Sequence, residues 1–127
     1  MKLRYLLLIT TLVTARVFPS LALADESHEV KTYRAQCDRG DAVACLVLGL
    51  MYAKGEGVTK DFTQAVALYR KACDGGAAVG CFNLGWMYHF GNGVKQSDTD
   101  ALNYFGKACD LKDELGCENY ARLKKKR

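Results

Sequence analysis

The sequence is poor in residues that interrupt helices and in residues that do chemistry. Its 127 residues hold one proline, Pro19, so nothing after that point forbids continuous helices. Histidine occurs only at His28 and His89, and serine after residue 24 only at Ser27 and Ser97. A hydrolytic zinc site needs three or more converging ligands, which two isolated histidines do not supply, and no metal or cofactor is expected. No run reaches the roughly 20 apolar residues that a bilayer-spanning helix needs. The most apolar stretch, Tyr5 to Val13, is far shorter and is followed by Arg16.

A surplus of positive charge is also missing once the start of the chain is set apart. Lys2 and Arg4 precede the apolar stretch, and Pro19 and the small-residue site Ala22-Leu23-Ala24 follow it. That order is a secretory leader, with cleavage expected after Ala24. No cysteine precedes Cys37, so no lipid anchor is expected at the cleavage site. The leader removes three of 18 basic residues and no acidic one, leaving 15 against 14. Four of the 15 are the terminal Lys124, Lys125, Lys126 and Arg127, so the body is mildly acidic and offers no basic face to nucleic acid. Those four charges have no apolar anchor beside them and hold a membrane weakly. The expected product is a secreted or periplasmic chain of residues 25–127, monomeric and without a stable membrane anchor.

Cysteine is the residue present in quantity. All six fall after residue 24, at positions 37, 45, 73, 81, 109 and 117. An even number in a small exported domain points to disulfides formed in an oxidising compartment. The spacing is regular, with 8 within each pair and 36 from pair to pair, and a fixed period of that length signals a stacked repeat. Other residues keep the same period. Leu48-Gly49 recurs as Leu84-Gly85, Met51-Tyr52 as Met87-Tyr88, and Gly55-Glu56-Gly57-Val58 as Gly91-Asn92-Gly93-Val94. Tyr33, Tyr69 and Phe105 correspond, as do Val30, Val66 and Leu102.

Apolar residues inside a repeat recur at three and four, as in Ala65, Tyr69 and Ala72, so each repeat is two helices. Helix A of the second copy is expected from near Asp61, a capping residue, to about Cys73, and helix B from about Ala78 to Phe90. The Gly-Xaa-Gly-Val segments end helix B, because glycine accepts the left-handed turn. The three copies are expected at 25–60, 61–96 and 97–127. The first cysteine of each pair ends helix A and the second starts helix B, so they face each other across a tight hairpin. Of 15 possible pairings, the repeat symmetry selects Cys37–Cys45, Cys73–Cys81 and Cys109–Cys117. The fold class is therefore all-α, a short solenoid of αα-hairpins, each stapled by one disulfide.

The segment Ala65-Val66-Ala67-Leu68-Tyr69-Arg70-Lys71-Ala72-Cys73, followed by Gly80-Cys81 and Leu84-Gly85-Trp86-Met87-Tyr88, resembles the Sel1-like repeat, a relative of the TPR motif. The paired cysteines resemble its disulfide-stapled branch, the Helicobacter cysteine-rich protein family. The third copy departs from the pattern, with Lys112 for the loop glycine, Ala121 for Gly85 and Arg122 for Trp86, and reads as a polar C-terminal cap. In the first copy, Gln36 stands where Ala precedes the cysteine. The resemblance implies a right-handed superhelix that binds proteins or peptides. It also implies an alternative, because members of this branch are described as β-lactamases or penicillin-binding proteins, with a cell-wall-derived ligand.

The residues argue against that chemistry. Serine acylation of this kind needs a lysine one helical turn after the serine on the same face, with Ser-Asp-Asn and Lys-Thr-Gly elements. Ser27 has Lys31 four residues on, at an expected frayed end. Ser97-Asp98-Thr99 only approaches Ser-Asp-Asn, and Lys31-Thr32-Tyr33 lacks the glycine. A thiol oxidoreductase wants two cysteines separated by two residues, not by seven. No catalytic residue is assigned, and binding of an unidentified protein or peptide is the leading expectation.

Comparison between copies points to where. Packing positions should recur, and partner-facing positions need not. On helix B, Cys81, Leu84, Gly85 and Tyr88 recur. The stripe that changes is Asn83, Trp86 and Phe90, with counterparts Val47, Leu50 and Lys54 in the first copy and Asn119, Arg122 and Lys126 in the third. Asn83, Trp86 and Phe90 are the candidate binding residues, since exposed Trp and Phe suit a hot spot. The competing reading packs Trp86 and Phe90 against helix A of the third copy. Tyr104 is a further candidate exposed aromatic, His89 is expected to be solvated, and Asp61, Asp98 and Asp100 are expected to cap helix A.

Overall fold

The computed structural model describes residues 26–126, which form six α-helices and no strand. The expected leader, residues 1–24, lies outside the described residues. The helices are α1 (His28–Asp38), α2 (Ala42–Lys54), α3 (Phe62–Asp74), α4 (Ala78–Phe90), α5 (Asp98–Asp110) and α6 (Glu114–Lys125). They form three hairpins, α1/α2, α3/α4 and α5/α6, and each helix packs chiefly on its neighbours in the chain. That succession makes the solenoid.

Short polar side chains start most helices by accepting the free N–H groups of the first turn. Asp41 accepts from Ala44, Asp61 from Thr63 and Gln64, and Asp113 from Gly116. At α5 the cap is Ser97, which accepts from the Asp100 N–H at 3.1 Å, and not Asp98 or Asp100 as expected. Those two lie inside the first turn, where their charge favours the helix dipole. Ser27 also differs from expectation. It is no frayed end, because it caps α1 through Val30 and donates its own N–H to the Gly57 carbonyl at 2.8 Å.

The loops after helix B repeat in detail. Gly55 and Gly91 take left-handed φ values of 71° and 70°, which lets their N–H groups turn back to Met51 and Met87. The Asp61 N–H then donates to Tyr52 and the Ser97 N–H to Tyr88, both at 2.9 Å. After helix A the third copy keeps the same turn without a glycine. Lys112 has φ 72° where Gly40 and Gly76 have 95° and 90°.

Successive repeats are joined by an aromatic ring lying on a glycine. A methyl group added at Gly49 would sit 2.7 Å from the Tyr69 ring, and one at Gly85 would sit 2.7 Å from the Phe105 ring. Both contacts pair helix B of one repeat with helix A of the next, and Tyr69 and Phe105 are buried. Inside a repeat, Gly80 lies on Ala72 and Gly116 on Ala108, so the two helices of the hairpin nearly touch where the cysteines meet. The Arg34 guanidinium donates to the Tyr52 hydroxyl at 2.7 Å, and Arg70 does the same to Tyr88 at 2.6 Å, crossing each of the first two hairpins. Gly106 and Lys124 occupy the corresponding places in the third copy, so the bond is not made there.

Gly85→Ala tests the inter-repeat contact, because alanine is otherwise the better helix former by about 0.5–1 kcal/mol. Here the overpacking should dominate, with a net loss of about 1–3 kcal/mol in urea unfolding. A neutral or stabilising result would mean that the ring does not rest on this glycine. Burial pushes the Tyr69 phenol up to about 12 from its ordinary value of 10. A raised value favours the neutral form, so the stability is whole below pH 10 and falls as pH rises from 10 to about 12. The melting temperature of the native protein should drop more steeply across that window than that of Tyr69→Phe.

Candidate interaction surface

All six cysteines are paired within their own repeat, as Cys37–Cys45, Cys73–Cys81 and Cys109–Cys117. The Cα–Cα separations are 4.7, 4.6 and 4.4 Å. These bridges hold the start of each helix B against the end of its helix A. The side chains that vary between copies therefore project from a fixed frame.

The structure separates the three candidate binding residues. Trp86 is half-buried, meeting the Phe105 ring edge-on at 5.4 Å and Phe82 at 6.1 Å. In that respect it packs against helix A of the third copy. Phe90 does not, for it is 63% exposed and lies flat on Trp86, with centroids 5.2 Å apart and planes 11° from parallel. Asn83, half-buried, does not line the cleft that Trp86 forms.

That cleft, of about 100 Å³, lies between α4 and α6. Trp86, His89 and Phe105 line one side, and Asn119, Arg122, Leu123 and Lys126 the other. Asn119, Arg122 and Lys126 stand 36 residues after Asn83, Trp86 and Phe90. The whole third-copy stripe thus lines the depression, and of the second-copy stripe Trp86 alone does, so one wall is aromatic and the other basic. Asn119 is buried, its amide donating to the Leu115 carbonyl at 2.7 Å. The missing signal for the basic side was that residues of helix B in consecutive repeats line one cleft, so the stripe needed reading across repeats.

Other candidates find structural partners. His89 is partly exposed, and its Nδ1 lies 2.7 Å from the Asp98 carboxylate, tying the end of α4 to the start of α5. Tyr104 is half-buried and stacks on Tyr88, with centroids 5.5 Å apart and planes 11° from parallel. Ser27 and Ser97, the only serines described, both accept backbone N–H groups as helix caps. Among the described residues no group of three or more His, Cys, Asp or Glu side chains converges, and no helix is long and apolar enough to cross a membrane.

Comparison with known proteins follows the same geometry. The Sel1 repeat model matches residues 42–76 and 78–113, each unit running from a helix B into the next helix A. Helicobacter pylori cysteine rich protein B is similar at 32% identity and TM-score 0.68, over 70% of this chain and 67% of that one. A Sel1 repeat protein of Oxalobacter formigenes is 30% identical at TM-score 0.70, over 73% and 70%. A protective antigen of uropathogenic Escherichia coli with an SLR fold is 32% identical at TM-score 0.75. There the match covers 80% of this chain but only 22% of the antigen. No curated protein matches the sequence.

The pairing has a direct check. The oxidised protein should weigh six hydrogens less than the reduced one, and digestion should yield only within-repeat bridges. A peptide joining Cys45 to Cys73 would contradict the hairpin arrangement. Replacing both Cys73 and Cys81 by serine should cost about 2–3 kcal/mol in urea unfolding, the chain entropy of a loop this short.

Proposed function

The chain belongs to the Sel1 repeat family, and from that premise we propose that it is an exported protein- or peptide-binding module. Residues 1–24 serve as the leader, and the three repeats at 25–60, 61–96 and 97–127 form the working domain. Three disulfides in so small a domain support a secreted or periplasmic location, where they persist. Sel1 repeats are commonly interaction modules, and nothing in the cleft between α4 and α6 calls for more than binding.

The observation that carries this reading is Phe90, an aromatic ring 63% exposed and stacked on Trp86, which lines a cleft whose other wall holds Arg122 and Lys126. Stacking on Trp86 holds that ring in place, so little conformational freedom is lost when a partner covers it. Asn83 stands on the same stripe, two turns before Phe90. The partner is a protein or peptide that presents an apolar side chain to Phe90 and Trp86 and a carboxylate to the two cations. A cell-wall-derived ligand with a peptide carboxylate has the same chemistry. A serine acyl-transfer mechanism gains no support, because using Ser27 or Ser97 would uncap a helix.

Selection from a displayed random-peptide library tests the reading. Recovered peptides should combine an acidic group with an apolar anchor. Phe90→Ala and Arg122→Glu should each weaken them about tenfold or more, the loss of one hot-spot contact, without lowering the melting temperature. Binders indifferent to both substitutions would place the site elsewhere.

A further inference from the structure

Besides the cleft, one set of exposed residues is repeated in every copy although packing does not require it. Val43, Val79 and Leu115 are related by 36 and are 63%, 46% and 53% exposed. Each is the second residue of a helix B, at the hairpin tip. The first two tips touch, since a methyl group at Gly75 would lie 2.7 Å from the Ala42 side chain, and Asp74 of the second tip reaches Lys107 near the end of the third helix A. The three aliphatic side chains therefore form one ridge along the tip edge, and Leu111, 41% exposed, adds to it at the third tip. Each ridge position lies inside a disulfide-closed loop, so the ridge is rigid before any partner arrives.

The same loops repeat an exposed acid, Asp38, Asp74 and Asp110. Each is the last residue of a helix A, where a negative charge opposes the helix dipole. Asp74 lies 3.7 Å from Lys107 at the surface. Asp38 and Asp110 make no side-chain hydrogen bond or ion pair among the described residues. Across the three closed loops there are six carboxylates against two cations, Arg39 and Lys112. An aliphatic ridge set in negative charge repels an anionic bilayer, and pairing it with the same ridge of a second copy would set acid against acid. Charge complementarity selects a basic segment with aliphatic side chains along one face.

We infer that the hairpin-tip edge is a second docking surface, on which Val43, Val79 and Leu115 receive the aliphatic face of a basic amphipathic helix and the loop carboxylates its lysines or arginines. This goes beyond the cleft and does not depend on it.

The probe is a labelled amphipathic peptide of leucine and lysine, followed by fluorescence anisotropy on the oxidised full chain, with a leucine–glutamate peptide of the same pattern as control. With the cleft disabled by Phe90→Ala and Arg122→Glu, the lysine peptide should bind and the glutamate peptide should not. The triple variant Val43→Ser, Val79→Ser, Leu115→Ser should weaken binding about tenfold or more, the loss expected for unburying a few aliphatic groups. Its helical circular dichroism should be unchanged, since the three positions are exposed. Asp38→Asn, Asp74→Asn and Asp110→Asn together should weaken binding and flatten its salt dependence. Phe90→Ala should leave it untouched. Equal affinity of the native and triple-serine proteins for the lysine peptide, equal affinity of the cleft-disabled protein for the two peptides, or a loss confined to Phe90→Ala would each overturn the assignment.

Discussion

The architecture depends on two places where an aromatic ring lies on bare backbone. Gly49 under Tyr69 and Gly85 under Phe105 let helix B of one repeat approach helix A of the next to within ring contact. Any side chain at these glycines would hold the helices apart. The neighbouring Leu48 and Leu84 are then fully enclosed. Gly93 presses on the Phe62 carbonyl and the Thr63 N–H, and Gly57 on the Ser27 side chain, so each loop after helix B rests on the start of helix A of its own repeat.

Cohesion within a repeat rests on different groups. The disulfide closes the hairpin at its tip, and in the first two copies the Arg–Tyr hydrogen bond closes it further along. The Tyr52 hydroxyl raises the affinity of the Arg34 guanidinium for its proton, and Glu26, which also bonds it, does so further. In the third copy Gly106 and Lys124 leave the disulfide without that second tie. The same copy turns the variable stripe basic with Arg122 and Lys126, so the last hairpin contributes charge to the cleft where the second contributes rings.

Much of this was readable in the sequence because a repeat supplies its own comparison. Helix B of the second copy is found at Ala78–Phe90, as its spacing requires, and the cysteine pairs close inside their repeats. What was not readable depends on contacts between elements. Ser97, one residue before two aspartates, takes the cap because it alone sits at the junction with extended backbone, φ −156° and ψ 106°. His89 meets Asp98 only because the loop of 91–97 folds α5 back against the end of α4. Trp86 and Phe90 share a stripe and a stack, yet one is half-buried and the other exposed, because Phe105 reaches only the first. No periodicity within α4 distinguishes them.

The closed loops also decide what happens when the backbone is cut. Residues 38–44, 74–80 and 110–116 each lie between two bonded sulfurs, so a protease that cleaves there leaves both ends joined. The exposed hairpin tips, where enzymes find loops most easily, are thus the places where a cut does not shorten the molecule. The segments between helix B and the next helix A have no such bridge. There the positive-φ glycines press against neighbouring residues: Gly55 and Gly91 against Lys60 and Gln96, Gly57 and Gly93 against Ser27 and Phe62. In a digestive extracellular medium the protein would wear by whole repeats, at those glycine turns, and not by erosion of its tips.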